Sequence, residues 1–333
     1  EYLIGTLEIN DPLAVVVAQD PRVRHDLFIT DGHTGGAHDG DVVLARVTSY
    51  PDRRQPMQGY VVEVLGAADA PGMDVDIIIH NLDLPTKFSP QALEQAEGIE
   101  VDVEAALAEP GRHDLRMRDI FTIDPTDAKD FDDAISLDEV DGMLRLGVHI
   151  ADVTHYVRPG SVVDTEAEAR GTSVYLVDRT VPMLPERLCN ELCSLRPHEE
   201  SLCFSAVFTL NENLEILDEW FGRTVIYSDR RFAYEEAQQV IETGRGDYAE
   251  EILTLNRLAQ AMRRERFRNG AISFDRAEAK FRLDEKGRPG GVYFKEQKEA
   301  NQMIEEFMLL ANRRVAEFCG KVRGRKSGRT MVY

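Results

Sequence analysis

Between Asp124 and Asp133 the sequence reads Asp-Pro-Thr-Asp-Ala-Lys-Asp-Phe-Asp-Asp, five carboxylates in ten residues with a single lysine to offset them. Like charges packed this closely repel and raise one another's pKa, so the run is stable where water solvates it or where cations sit among its oxygens. Hard, oxygen-seeking Mg²⁺ or Mn²⁺ suits such a donor set. Pro125 pushes Asp124 out of the α region, so the segment starts as a turn. Asp130 and Asp132 share one face of an extended chain and Asp133 takes the other, so a regular strand does not converge them whereas a bent loop does. Downstream, the apolar and alternating runs Ala134 to Val140 and Met143 to Val153 flank Asp141-Gly142, a dipeptide that favours a two-residue hairpin turn. The carboxylates therefore belong at the mouth of a hairpin. Charge clustering alone leaves a solvated acidic surface as the commoner outcome. An EF-hand loop is excluded, because no glycine stands in the middle of the run and no glutamate at its twelfth position.

The rest of the composition narrows the host. A chain of 333 residues, 43% of them hydrophobic, is long enough for about two globular domains. No stretch approaches the roughly 18 apolar residues of a membrane span, and no charged-then-apolar leader opens the sequence. The expected location is cytoplasmic, with no membrane partner. Four cysteines do not make a disulfide framework in a chain of this size. Cys189, Cys193, Cys203 and His198 lie near one another in sequence, but the second complete ligand pair of a zinc site is missing, so buried thiols are expected. A net charge of −21 argues against indiscriminate binding to phosphate, and any nucleic-acid path must be local. One candidate is Arg313 to Arg329, where seven of seventeen residues are basic; a solvated helix end accounts for it equally well.

Read in order, residues 1–66 hold five short strand-like runs, Tyr2 to Leu7, Leu13 to Ala18, Asp26 to Thr30, Asp41 to Thr48 and Met57 to Leu65. Gly, Pro, Asp and His punctuate them, as a five-stranded OB or cold-shock barrel requires. The nucleic-acid face of such barrels normally carries aromatic platforms. Here the second run, Leu13-Ala-Val-Val-Val-Ala18, has none and Phe28 remains, so a structural or gating role stands beside nucleic-acid binding. Residues 67–110 read as a structured linker with a short helical pattern near Gln91 to Gln95. From 111 to 333 a single mixed α/β domain is expected. Its helices lie near Val163 to Arg170, Tyr234 to Glu242 with Gly244 as its stop, Glu250 to Arg268 and Glu299 to Phe318. Its later strands fall at Leu202 to Leu210, Leu214 to Tyr227, Ala271 to Phe274, Phe281 to Leu283 and Gly291 to Phe294. Ile252, Leu255, Leu258, Ala259 and Met262 form a core-facing stripe at helical spacing. The expected fold class is α+β.

Ile123-Asp124-Pro125, Asp127-Ala128, Asp130-Phe131-Asp132-Asp133-Ala134, His149-Ile-Ala-Asp-Val153 and Tyr156-Val157 resemble the signature of the ribonuclease II / ribonuclease R (RNB) family. Arg170-Gly-Thr-Ser-Val-Tyr175, Pro182-Met-Leu-Pro185, Leu192-Cys-Ser-Leu195, Gly270-Ala-Ile-Ser-Phe274 and Ile304-Glu-Glu-Phe-Met308 continue it in the same order, and the ribonuclease R branch is the nearest likeness. The resemblance implies a cold-shock barrel followed by an RNB catalytic domain, and processive 3′→5′ hydrolysis of single-stranded RNA to nucleoside 5′-monophosphates. It implies Asp124, Asp130, Asp132 and Asp133 as catalytic, metal-holding aspartates, with Asp124 and Asp133 on a first Mg²⁺ (Mn²⁺ as the alternative) and Asp130 and Asp132 serving a second ion or orienting water. Asp127 matches no such position. Tyr175, Tyr234 and Phe274 match aromatics packed around the terminal nucleotides, and Arg170 and Glu305 fall in further RNA-contacting motifs; core packing and a helix-surface ion pair are the plain alternatives for the aromatics and for Glu305. The expected partner is single-stranded RNA, bound by a monomer without an organic cofactor. Family members extend further on both sides, so the chain is expected to be a fragment with an incomplete catalytic domain. A catalytically idle RNA-binding member and a divalent-cation-binding structural protein are the competing readings. His149, Asp152 and His155, at three-residue steps, mimic a metal triad, but strand alternation turns neighbouring members to opposite faces.

Overall fold

The structure, a computed structural model, describes residues 1–30, 32–211, 215–272, 278–285 and 287–320. Alternation of apolar and polar residues builds the first strands: β1 (Tyr2–Asn10), β2 (Leu13–Ala18), β3 (Leu27–Ile29), β4 (Asp41–Ser49) and β5 (Gln58–Ala67). They close into a barrel in the order β1-β2-β3-β5-β4. Leu7, Val16, Leu27, Val43 and Ala45 fill it.

Residues 67–110 hold three helices, α1 (Met73–Asn81), α2 (Pro90–Glu97) and α3 (Val103–Leu107). Met73 packs with Ile4 and Val42 beside the barrel core. Ser89 caps α2, its hydroxyl accepting from Ala92 N at 3.2 Å.

The chain continues through β6 (Arg112–Asp114), β7 (Ile120–Asp124), β8 (Asp133–Val140), β9 (Met143–Ala151), α4 (Val153–Tyr156), α5 (Val162–Arg170), β10 (Val174–Tyr175), β11 (Thr180–Val181) and a π-helical turn at Arg187–Leu192. Then come β12 (Glu200–Leu210), β13 (Ile216–Tyr227), β14 (Arg230–Ala233), α6 (Tyr234–Thr243), α7 (Ala249–Arg268), β15 (Glu278–Leu283), β16 (Pro289–Lys295) and α8 (Glu299–Gly320). Asp141 and Gly142 take φ of 53° and 74°, the left-handed pair of a type I′ turn, and join β8 to β9 as the dipeptide predicts. Gly244 stops α6 at φ 67°. Strand Ala271 to Phe274 lies outside the described residues in its second half, and residues 271 and 272 are not extended strand.

One seven-stranded sheet, in the order β14-β7-β8-β9-β12-β13-β6, is the frame of the second part of the chain. Its two edge pairings, β14 to β7 and β13 to β6, are parallel and the inner ones antiparallel. On one face Ile135, Leu146, Val148 and Phe208 meet Ile252, Leu255, Leu258 and Ala259 of α7 and Met303, Phe307 and Leu310 of α8. On the other, Ile120, Ala134, Leu202 and Val225 meet α2, α3 and the π-helical turn through Ala92, Ala96, Ala106 and Leu188.

By its contacts the chain forms two units. One comprises residues 1–87, 173–181 and 279–294, and the other comprises 88–172, 182–278 and 295–333. Among the described residues no helix is long and apolar enough to cross a membrane.

Candidate active site

β7 and β8 are antiparallel neighbours, and the acidic run is the loop between them: Asp124 ends β7 and Asp133 begins β8. The sheet thus brings the two ends of the run side by side, and residues 125–132 bulge from its rim. Phe131 points inward and is buried in the lower core, which turns Asp130 and Asp132 on either side of it outward. Backbone bonds fix this shape. Phe131 N donates to Ser194 Oγ at 3.1 Å, Ser194 Oγ donates to Lys129 O at 2.9 Å, and Leu195 N donates to Phe131 O at 2.8 Å. Ala151 N, from β9, donates to Asp132 O at 3.0 Å.

The electrostatics follow from burial. Asp124 is only 8% exposed, and burial pushes its carboxyl up to about 7. The charges of Asp133 and Asp132 push the same way; Arg231 and the Thr122 hydroxyl ease it. The Thr122 hydroxyl lies close enough to favour the charged form, although neither its Oγ1 nor Asp124 Oδ2 makes a hydrogen bond of good geometry. Asp133 rises to about 6 through burial and then Asp132. Asp132 also rises to about 6, through desolvation and then Asp130, even though much of its side chain reaches solvent.

Tyr234 opens α6 beside these groups: burial raises its hydroxyl, and the charges of Asp133 and Asp124 add to that. Glu236, whose carboxylate accepts from Ala233 N at 2.8 Å, holds the start of that helix.

The donor chemistry fits a hard divalent ion, since every group is an oxygen and, among the described residues, none makes a hydrogen bond of good geometry to the buried Asp124 Oδ2. Among the described residues no three His, Cys, Asp or Glu side chains stand in a finished ligand arrangement. The four aspartates are gathered at one rim, not locked as a cage.

The other expected residues fall elsewhere. Tyr175 lies on β10 in the barrel's unit and is 64% exposed. Phe274 lies outside the described residues. Arg170 is enclosed: it donates to Pro182 O at 3.2 Å, pairs with Glu166 at 3.1 Å and stacks 3.5 Å over the Phe88 ring. Glu305 sits in an α7–α8 ion-pair cluster with Arg266 at 3.2 Å and Arg263 at 3.5 Å, where the buried Glu306 takes the closer contact to Arg266.

The histidine triad comes apart. His149 is buried between Ser136 Oγ at 3.0 Å and Ser205 Oγ at 2.7 Å, and burial brings it down to about 3, so it stays neutral. Asp152 instead pairs with Arg112 and Arg223, each at 3.3 Å. A pocket of about 260 Å³ includes His149, Arg145 and Trp220 in its walls and none of the four aspartates. Cys189, Cys193 and Cys203 are free thiols, the first half-buried and the others buried, all raised by that burial.

Sequence reasoning misses Arg231 and Thr122, and quotes Ser194 only as part of the Leu192-Cys-Ser-Leu195 motif without its role. The Arg230-Arg231 pair just ahead of Tyr234 carries no hint of contact with a loop about a hundred positions earlier.

A family model for the RNB domain matches residues 112–327. The chain belongs to the RNB family. A cold shock domain model matches residues 16–89. Ribonuclease R of Aquifex aeolicus is 35% identical over 323 residues, which are 94% of this chain and 45% of that protein. DIS3-like exonuclease 2 of Schizosaccharomyces pombe is 48% identical over 227 residues, 63% of this chain and 24% of its own length. Mycoplasma genitalium RNase R, solved with ribose-methylated single-stranded RNA, superposes with a TM-score of 0.88 at 25% identity, over 95% of this chain and 51% of that one. The RNB chain therefore spans about half or less of the relatives it matches. Yeast Ssd1, a pseudonuclease, shares the fold at a TM-score of 0.69 and 21% identity, with 97% and 41% of the two chains covered.

Proposed function

We propose that the protein of which this chain is part is a metal-dependent exoribonuclease that hydrolyses single-stranded RNA from its 3′ end to nucleoside 5′-monophosphates, acting as a cytoplasmic monomer. The observation that carries this reading is the placement of Asp124, Asp130, Asp132 and Asp133 at one rim of the sheet, with a buried, unsatisfied oxygen on Asp124, in an RNB-family chain. Asp124 and Asp133 would hold one Mg²⁺ or Mn²⁺, and Asp130 and Asp132 a second ion or the attacking water. Two such ions, when bound, supply a nucleophilic hydroxide near neutral pH and offset charge on the attacking and leaving oxygens.

The chain's own groups do the rest. Phe131, Ser194 and Leu195 hold the loop so that the carboxylates need not reorganise on binding. Tyr234, beside Asp124 and Asp133, would pack against the terminal nucleotide. Tyr175 and Phe274 would stack on terminal bases, which fixes register without choosing sequence, at about 1–3 kcal/mol per base. Arg170 and Glu305, both held by internal ion pairs, would shape the RNA path from behind.

The idle-member reading has the shared fold of a pseudonuclease in its favour and the four retained aspartates against it. One assay separates them. With a 3′-extended single strand and Mg²⁺, the full-length protein should release monophosphates, and Asp132→Asn should lower turnover by at least about 100-fold with RNA affinity nearly unchanged. Equal turnover by the variant would refute the assignment, and RNA binding without turnover by the wild type would favour the idle member.

A further inference from the structure

Arg231 touches both halves of the acidic loop. It lies on β14, the parallel neighbour of β7, in register with Thr122 and two residues before the partner of Asp124. Its Nη2 donates to the carbonyls of Pro125 and Thr126, the latter at 3.0 Å, immediately after Asp124. Its Cζ lies 5.4 Å from the centre of the Phe131 ring, between Asp130 and Asp132 in sequence. Its Nε is buried with no partner, as is Asp124 Oδ2, so a spare donor and a spare acceptor stand on adjacent strands.

We propose that Arg231 is the positioning residue of the carboxylate loop: one guanidinium fixes the distance between Asp124 and the Asp130–Asp133 run, so that divalent cations meet a loop already bent. This rests on the cation reading above. Nη2 alone takes both carbonyls, which leaves the planar face of the guanidinium for the Phe131 ring; a lysine ammonium carries the donors but no such face. Arg230, its neighbour, is engaged with Glu236 and Asp247 at 3.3 and 3.2 Å and does not substitute for it.

The test uses the 333-residue chain with Arg231→Gln and Arg231→Lys. In EDTA, amide hydrogen exchange across 125–132 should accelerate at least about tenfold in both variants while helix α7 keeps its protection. Calorimetry with Mn²⁺ should show affinity lowered about 10–100-fold in both, the usual effect of losing a group that orients metal ligands. Wild-type affinity in Arg231→Lys would overturn positioning in favour of plain charge. Unchanged exchange in the loop, or loosened α7 as well, would overturn it too. If the wild type bound no Mn²⁺, the functional reading would fail, and the EDTA exchange data alone would decide whether Arg231 sets the loop.

Discussion

Asp124 is a carboxylate driven into a buried position where charge is penalised and kept there by the strand it terminates. Its folded pKa of about 7, against an ordinary 3.8, means the folded chain binds that proton more tightly than the unfolded chain. The metal-free chain therefore loses stability as pH rises from about 4 to about 7, by on the order of 1.4 kcal/mol for each tenfold fall in proton concentration. Asp124→Asn removes that penalty. In EDTA at pH 8 the variant should melt above the wild type by about 2–6 °C, and the gap should shrink at pH 5.5. Mn²⁺ should raise the melting point of the wild type only. A pH-independent gap would mean that Asp124 is not the group ionising there. The acidic run is legible in sequence because so dense a charge needs an external counter-ion or water, whereas the choice of four of its five aspartates rests on the family resemblance. The groups that set their energies, Arg231 and Thr122, are not legible, because they meet Asp124 only once β14 has paired with β7.

Elements show the same division. Strands β1 to β5, the β8–β9 hairpin and helix α7 are legible because each carries its own period, two or 3.6, and its own punctuation. Helix α1 is not: its Ile77-Ile-Ile79 run favours a strand, its N-cap is Gly72 with no side-chain bond, and packing of Met73 and Ile79 overrides local preference. The loop 125–132 is the element on which the site depends, and one buried ring anchors its middle beside the bonds to Ser194, Leu195 and Arg231. Phe131→Ala should cost about 3 kcal/mol by leaving a cavity in the lower core. It should also weaken Mn²⁺ binding beyond what a cavity of similar size at Leu202, on β12, would do, since only Phe131 turns Asp130 and Asp132 outward. Paired melting and calorimetry on Phe131→Ala and Leu202→Ala check this, and equal effects on Mn²⁺ affinity would dissociate the loop's shape from the ring.

At the scale of the whole molecule, a chain of net charge −21 is proposed to hold a polyanion. About half of its described arginines stand in ion pairs, among them Arg112 on Asp152 and Glu109, Arg116 on Asp114, Glu104 and Glu200, Arg118 on Asp138, Arg170 on Glu166, and Arg266 on Glu305 and Glu306. Arg314, in the basic run 313–329, pairs with Glu219 and Glu317, and the residues of that run beyond 320 lie outside the described structure. The other arginines are scattered along an acidic chain and form no dense run among the described residues, so affinity is expected to come chiefly from stacking and from ions held by the aspartates. The salt dependence of binding measures this directly, because for single strands log K falls with log salt at about 0.7 per phosphate neutralised. With a short fluorescent RNA at fixed Mg²⁺, anisotropy titrations of this chain across KCl concentrations should give a slope of about −1 to −2, two or three phosphates' worth. A slope steeper than about −5 would mean that a phosphate track, and not stacking, dominates the affinity. Charge reversal at Lys321, Arg323 and Arg325 would then locate it, by flattening the slope if the basic run is the track and leaving it unchanged if it is not.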